Sequence, residues 1–503
     1  MSGARGQLLI RGGRVLDLES DLDEPPVKDI LVEGGSITSV GERLVSGPDV
    51  EMIDASGMLV MPGLVNAHYH AHDVLAKGVF EDLNHEQWFM MAGALGINRP
   101  LAEVRARTLA GAIECLRNGI TTVQDLSSFL PLTDAHVDAI LDAYAEAGLR
   151  VIYSISVRDL PHIDTLPWMR RVAPPDLHDL IGTVGGAPGP QLEFIARQIE
   201  RIGERGGMVR WALSPSAPQR SSRELLEGVS ELAKRRRVPI YTHVYESRTQ
   251  RVLALERLPE YGGSELRMMH ALGLLGPHVT LAHVVWADDE ELDLIAATQT
   301  NVVLNGLSNL KLKSGVAPML DLRARGINIA LGADNCSCSD VPSMLQVMKL
   351  YCLLAAVSSP HATQLTAAEA FRAATIGGAR TAVLDGRIGA LKPGHRADMV
   401  LIDLADPAYV PYNSAVRQLV YSDSGRSIRI VIVDGHVVVR DGRATRVDEA
   451  ALREEIAHIN PGLRSELRSL KDRFEAVRPY FDIVQTRAWA VPLRMHRYFG
   501  FPV

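Results

Sequence analysis

The 503-residue chain lacks several things that would have placed it quickly. No apolar run approaches the ~18 residues that read as a membrane span. The start, MSGARGQLLIRGGRVLDLES, has no long apolar core of the kind a signal peptide carries. Only four cysteines occur, Cys115, Cys336, Cys338 and Cys352, and no two of them make a CxxC pair. A reduced, cytoplasmic protein is the expectation. No long basic run stands out and the net charge is −7, which argues against sequence-independent binding to nucleic acid. No internal repeat or low-complexity tract is visible. Nothing suggests a Ser-His-Asp nucleophile. The one glycine-rich candidate for a phosphate loop, GGSITSVG, lies among β turns, without the strand-to-helix context or the lysine.

What is there is a globular composition, 47% hydrophobic and 22% charged, able to bury a large core. The first sixty residues read as short strands separated by glycine turns: LLIRGG, RVLDL, DILVEGGSITSVG and EMIDASGMLVMPG. The style returns in ADMVLIDL and IRIVIVDGHVVVRDG, so one small sheet domain built from both ends is expected. Between them, eight short apolar runs begin at residues 63, 119, 150, 208, 238, 278, 301 and 327. Helical patterns such as DAHVDAILDAYAEAGL and SRELLEGVSELAKRRR separate several of them. That alternation predicts an α/β fold with a closed (β/α)8 TIM barrel. A doubly wound open sheet or a miscounted strand are the rivals. The expected division is a β-sandwich from residues 1–60 and 391–447, a catalytic barrel over 61–390, and a helical extension over 448–503. The extension carries the aromatic residues Tyr480, Phe481, Trp489, Tyr498, Phe499 and Phe501. Packing onto the chain's own barrel is the favoured reading of it, ahead of a subunit contact or a lid.

The chemistry centres on MPGLVNAHYHAHD, residues 61–73, with His68, His70 and His72 at alternate positions. Sixteen histidines in this length make one such pair close to what chance supplies. Position strengthens it. In a strand, residues i and i+2 share a face, and the C-terminal ends of barrel strands carry the active site. Three more runs end in residues of the same type: His243 in YTHVYES, His283 in TLAHVVW and Asp334 in LGADN. Four ligand-type strand ends on one face point to a divalent metal site. Glu246, three residues after His243, is either a solvated carboxylate opening a helix or a general acid/base beside the metal.

These pieces resemble the amidohydrolase superfamily, and within it the aminohydrolases and chlorohydrolases of nitrogen heterocycles. The resemblance rests on PGLVNAHYH, THVYES, LAHVVWADDEEL, SGVAP with LGADN, ATIGGAR, IGALKPGHRADMVLIDL and VDGHVV, in order from about residue 10 to 440. It implies that His68, His70, His243 and Asp334 hold the metal. It further implies that His283 holds or polarises the attacking water, and that Glu246 shuttles protons to a ring nitrogen and the leaving group. His72 matches no ligand position and reads as pocket wall or as a plain structural residue. A bound ion would lower the pKa of water from 15.7 towards about 7, Asp334 and His283 would take or orient its proton as catalytic residues, and the hydroxide would attack an electron-poor ring carbon. The fourth run, RWALSPSAP, ends without a lysine that could bridge two metals, so one ion is expected. Zinc is favoured by the histidine-rich set, with iron or another divalent metal left open.

Two departures bear on substrate. Ser216 stands in PSAP where nucleoside-deaminating relatives often have histidine, and Leu304 stands in LNGLSN where many relatives have one. Losing two donors points to a different and less polar substrate. Trp88 either stacks on a flat ring or anchors the core. Asn305 and Ser308 either hydrogen-bond substrate or pack a loop. Cys336 and Cys338 read as spare loop residues rather than catalytic thiols. The expected function is therefore a mononuclear metal-dependent hydrolase that deaminates a small N-heterocycle, or displaces another leaving group from it. The expected assembly is a homodimer with no nucleic-acid or membrane partner. The alternatives are an amidase acting on a linear amide, urea or carbamate, and a catalytically silent scaffold.

Overall fold

The computed structural model describes residues 7–47, 50–182, 185–362 and 365–498. Phe499 and Phe501 of the aromatic tail lie outside them.

Both ends of the chain meet in one nine-stranded sheet. Its N-terminal strands are Leu8–Val15, Val27–Glu33, Ser36–Gly41, Glu51–Asp54 and Met58–Pro62. Its C-terminal strands are Met399–Asp403, Ile428–Val433, His436–Arg440 and Arg443–Ala444. The seam runs antiparallel between Met58–Pro62 and Met399–Asp403, with Val60 opposite Leu401. Local turn chemistry sets two hairpins. Glu33 pairs with Ser36 across Gly34 and Gly35, both at positive φ, and Val433 pairs with His436 across Asp434 and Gly435, also both positive. A two-residue connection with both centres at positive φ matches strand twist, and Gly-Gly and Asp-Gly supply it cheaply. Alternate residues from both halves, among them Ile10, Ile30, Val60, Met399, Leu401 and Ile432, form one buried cluster.

The eight apolar runs all contain strands. Leu64–His70, Ile120–Ser127 and Arg150–Val157 are parallel neighbours. The fourth run divides into two short strands, Val209–Trp211 and Ser214–Pro215, each paired with the third. Ile240–Val244, Val279–His283, Asn301–Leu304 and Ile329–Leu331 form a second parallel sheet. Two links join these sheets. Leu213 bridges to Ile240, and the chain continues from Leu331 into Asp334–Asn335, which pairs with the first strand. Strands buried on both faces read as continuous apolar runs, which is why they were visible in the sequence. Gly332 lies where a Cβ would stand 2.4 Å from the Asn305 side chain and 2.6 Å from His68 Cβ. Only glycine lets the eighth run pass that close to the first and seventh.

The chain ends in a 42-residue helix, Glu449–Ala490. Beyond Leu452 near its start, its buried residues are Leu463, Leu467, Leu470, Phe474, Val477, Phe481, Val484 and Ala488. The spacing alternates between four and three, the period of one apolar helix stripe. The stripe packs into a cluster with Trp88, Met91, Leu95, Ile163 and Met169 of the same chain. Side-chain bonds fasten it further, from Gln87 to Asp482 at 2.8 Å and from Thr249 to Gln485 at 3.0 Å. The extension therefore packs on its own chain, over the segment that follows the parallel strand Leu64–His70. Among the described residues no helix is long and apolar enough to cross a membrane.

Candidate metal centre and active site

The first strand ends at His70, and the chain turns immediately into a short helix, Ala71–Ala76. That turn separates the three histidines. His68 and His70 keep the shared face of the strand, while His72 leaves it. His68, His70 and His243 bring ring nitrogens together, and His68, His283 and Asp334 bring two ring nitrogens and a carboxylate oxygen together, every one of these residues buried. The Nε2 atoms of His68 and His70 are 3.2 Å apart, and those of His70 and His243 are 3.4 Å apart. Asp334 Oδ1 lies 3.4 Å from His68 Nε2 and 3.5 Å from His70 Nε2.

Hydrogen bonds on the far side of the rings decide what these nitrogens are. His70 Nδ1 meets the Leu126 carbonyl at 2.8 Å, and His243 Nδ1 meets the Ser216 carbonyl at 2.5 Å. A carbonyl only accepts, so each Nδ1 carries the proton and each Nε2 presents a lone pair. Two lone pairs facing one another across 3.4 Å cannot bond to each other. Two donors about 2.1 Å from one ion in tetrahedral array would stand roughly 3.4 Å apart. The donor set therefore fits a divalent cation. Burial pushes the His68 imidazole down to about 4 despite Asp334 beside it, and pushes His243 well below its usual range. Both rings are thus neutral, as metal ligands must be.

Asp334 is held from behind. Burial alone would raise its carboxyl, but His68, His283 and His70 outweigh that and hold it well below the usual range. Its Oδ2 accepts from Ser308 Oγ at 2.6 Å, and its Oδ1 from the Asn335 amide at 2.8 Å. Asp334 has φ +66° and His283 φ +74°, a region non-glycine residues seldom occupy. Strain of this kind collects where side chains must be aimed precisely. His283 Nδ1 meets Asn309 Oδ1 at 2.8 Å, and the Asn305 amide lies 3.3 Å from its Nε2.

Glu246 reaches towards the same space. Its Oε2 is 3.6 Å from His283 Nε2 and 3.0 Å from His85 Nε2. Burial would raise this carboxyl, but His283 and His85 draw it down to about 2. His85 responds in the opposite sense. Its burial penalty is outweighed by Glu246 and Glu86, which lift it to about 9. Glu246 is therefore no solvated helix-opening residue; it is 3% exposed and ion-paired.

The remaining expectations divide. His72 and Trp88 line the pocket beside His70, His243, Glu246 and Asp334. His72 Nδ1 is sealed without a partner, and Trp88 Nε1 donates to Ser337 Oγ at 2.9 Å. Asn305 and Ser308 are not among the pocket-lining residues; their side chains are engaged with His283 and Asp334 instead. Cys336 and Cys338 are fully buried and their thiols are pushed well above the usual range by burial, so neither is a poised thiolate. Three further basic side chains, Arg158, Arg220 and His85, also line the pocket. These three, and Asp73, escaped the reading of the sequence. Asp73 accepts from Asn335 Nδ2 and from the amides of Cys336 and Ser337, clamping the loop that carries Asp334. It stands in the HYHAHD stretch itself.

The comparisons agree with this geometry. Residues 59–438 match the amidohydrolase family. A 5'-deoxyadenosine deaminase of Methanosarcina mazei is 30% identical, covering 89% of this chain and 96% of its own. A 5-methylthioadenosine/S-adenosylhomocysteine deaminase of Syntrophobacter fumaroxidans is also 30% identical, covering 91% of this chain and 99% of its own. Among solved structures, an atrazine chlorohydrolase of Arthrobacter aurescens TC1 in complex with zinc superposes with a TM-score of 0.77 at 25% identity, covering 90% of this chain and 99% of its own. Such relatives imply a TIM-barrel type of α/β fold here. With its paired histidines on the first strand and a carboxylate closing the eighth, the chain belongs to the amidohydrolase family.

Proposed function

We propose that this protein is a metal-dependent hydrolase that displaces an amino group, or a comparable leaving group, from a ring carbon of a nitrogen heterocycle. One observation carries the reading. The Nδ1–H tautomers of His70 and His243 are fixed by carbonyls, so their Nε2 lone pairs face one another across 3.4 Å, with Asp334 Oδ1 3.5 Å from that of His70, and a cation there would satisfy them. His68, His70, His243 and Asp334 would hold one divalent ion, with zinc the first choice from the donor set and from the zinc in the related chlorohydrolase. Bound there, the ion would supply a water acidic enough to act as a nucleophile at neutral pH.

The chain's own groups carry the protons. His283 Nε2 stands 3.8 Å from Asp334 Oδ2 and 3.6 Å from Glu246 Oε2, so it can orient a water between the two carboxylates. Glu246 Oε2, ionised and aimed into the pocket, takes one proton of the attacking water and delivers it to the ring nitrogen; the second, from the hydroxyl then on the ring carbon, passes to the departing amino group, so that ammonia leaves and a ring carbonyl remains. His85 fixes Glu246 through the 3.0 Å contact. Ser308 and Asn309 fix Asp334 and His283 in turn. Trp88 and His72 would flank the ring. Two related deaminases and a related chlorohydrolase support displacement at a ring carbon over cleavage of a linear amide.

The same proposal closes the eight parallel strands into a (β/α)8 barrel over residues 61–390. Support comes from the succession of strand pairings and the Leu213 to Ile240 bridge. It reads the terminal sheet (residues 1–60 and 391–447) as a β-sandwich, residues 448–503 as a separate extension, and the assembly as a cytoplasmic homodimer. Gel filtration checks the last. Product analysis tests the chemistry. Incubation with amino-substituted purines, pyrimidines, pterins and triazines should release ammonia and leave a ring carbonyl. Turnover confined to linear amides, with an acyl chain split, would contradict it.

A further inference from the structure

The metal-side donors come from the first, fifth, sixth and eighth strand ends. The pocket's other wall comes from the third and fourth, and it is cationic. Arg158 follows the strand Arg150–Val157, and Arg220 closes the short turn Pro218–Arg220. Both line the same pocket as His243 and Glu246. Both guanidinium groups lie over the Phe89 ring, with Arg220 Cζ 3.7 Å and Arg158 Cζ 5.5 Å from its centre. Stacking holds the two groups without using their N–H donors.

Those donors are largely unspent. A guanidinium has five. Arg220 directs one at Ser216 Oγ at 3.2 Å, and its Nη2 stands 3.4 Å from His85 Nε2. Arg158 has no ion pair with any described carboxylate, and the guanidinium of its partly buried side chain lies over Phe89. Burial depresses it below the usual guanidinium range with no acidic neighbour offsetting the effect. Arg220 has compensation nearby, since the His85 cation is shared between Glu86 and Glu246. That quartet is neutral. Arg158 is the cation left over, and a divalent ion on Asp334 adds a further surplus of positive charge. Buried charges without partners are costly, so a ligand that brings an anion is favoured here. The space between these walls is about 40 Å³, so a single ring asks less movement of them than a nucleoside.

We propose that Arg158 and Arg220 form an anion subsite facing the metal centre, and that the substrate is a compact amino-substituted N-heterocycle bearing a carboxylate. This rests on the hydrolase reading above. A carboxylate matches the planar guanidinium fork in two parallel hydrogen bonds. The subsite makes Arg158 a specificity residue, reading the substituent while Glu246 and His283 act on the ring.

The test uses the full-length zinc-loaded protein and two probes, 4-aminopyrimidine-5-carboxylate and its 5-carboxamide, titrated by calorimetry. Wild type should bind the carboxylate about tenfold or more tightly than the carboxamide. Arg158→Gln should abolish the preference, and Arg158→Lys should retain part of it. Metal content and melting temperature are read alongside. Should Arg158→Gln fail to fold, Arg220→Gln is read for the same ratio. Equal binding of the two probes by wild type would overturn the proposal. So would a preference that survives the glutamine variants, because the carboxylate would then be held by the zinc. Ammonia release from neutral heterocycles only would sink this inference and spare the hydrolase reading. A carboxylate preference with no ammonia release from any ring would do the reverse.

Discussion

Ser308→Ala isolates the support behind the site from the site itself. The Ser308 hydroxyl has one proton and two acceptors in reach, Asp334 Oδ2 at 2.6 Å and the Asn305 carbonyl at 3.1 Å. The shorter contact, to a charged acceptor, takes the proton. The substitution removes one oxygen from a fully buried position, so the cavity left behind is minimal. What is lost is a hydrogen bond to a charged group, worth about 1.5–3 kcal/mol. If Asp334 is a ligand, that energy appears in metal affinity, as a loss of about 10–100-fold. The assay is competition between the protein and a chromophoric zinc chelator, for wild type, Ser308→Ala and Ser308→Thr. Threonine keeps the hydroxyl and should stay close to wild type. An alanine variant binding zinc as tightly as wild type would refute the reasoning and leave Ser308 as a residue that packs its loop.

Three further outcomes are expected. Glu246→Gln should keep its metal, measured by elemental analysis, while ammonia release falls by about 10²–10⁴-fold, the usual share of general acid–base catalysis; unchanged turnover would remove Glu246 from the proton path. The His85–Glu246 pair should give a pH signature in thermal melts. Glu246 is held down to about 2 and His85 is raised to about 9. Their contribution is therefore fully present between about pH 4.5 and 6.5 and is lost as pH climbs through 9 or falls through 2. A His85→Asn variant whose melting temperature follows the wild-type pH dependence unchanged would contradict this. Phe481→Ala, at a 2% exposed position in the cluster that includes Trp88, should cost about 3–5 kcal/mol in denaturant unfolding. A loss under about 1 kcal/mol would mean that the C-terminal helix does not pack there as described.

The strands and the ligand-type residues were legible for one reason. Buried parallel strands read as apolar runs, and the chemistry sits where four of those runs end, so the residues there, His68 with His70, His243, His283 and Asp334, five in all, announce themselves locally. The division of the fourth run into two strands had no such signal, since RWALSPSAP is apolar throughout. The supporting residues were hidden for the opposite reason. Asp73, His85, Arg158 and Arg220 lie in loops or short helices far apart in the chain, and only folding gathers them. Nothing in NHEQW sets His85 apart, because its partner Glu246 is 161 positions away. Asn305 and Ser308 were seen but given the wrong neighbours to choose from; the options were substrate or loop, and the structure gives them His283 and Asp334. His72 was set apart by the resemblance, which gives it no ligand position, and the physical reason is that the strand ends at His70.

The central claim is that His68, His70, His243 and Asp334 hold one ion on which hydrolysis depends. The most direct measurement strips the protein of metal, titrates zinc back, and follows bound metal and ammonia release together for wild type and His70→Ala. The account predicts one ion per chain in wild type, activity rising with occupancy, and a His70→Ala protein that folds but neither retains zinc nor releases ammonia. Full zinc occupancy in His70→Ala, or ammonia release from the stripped wild-type protein, would contradict it.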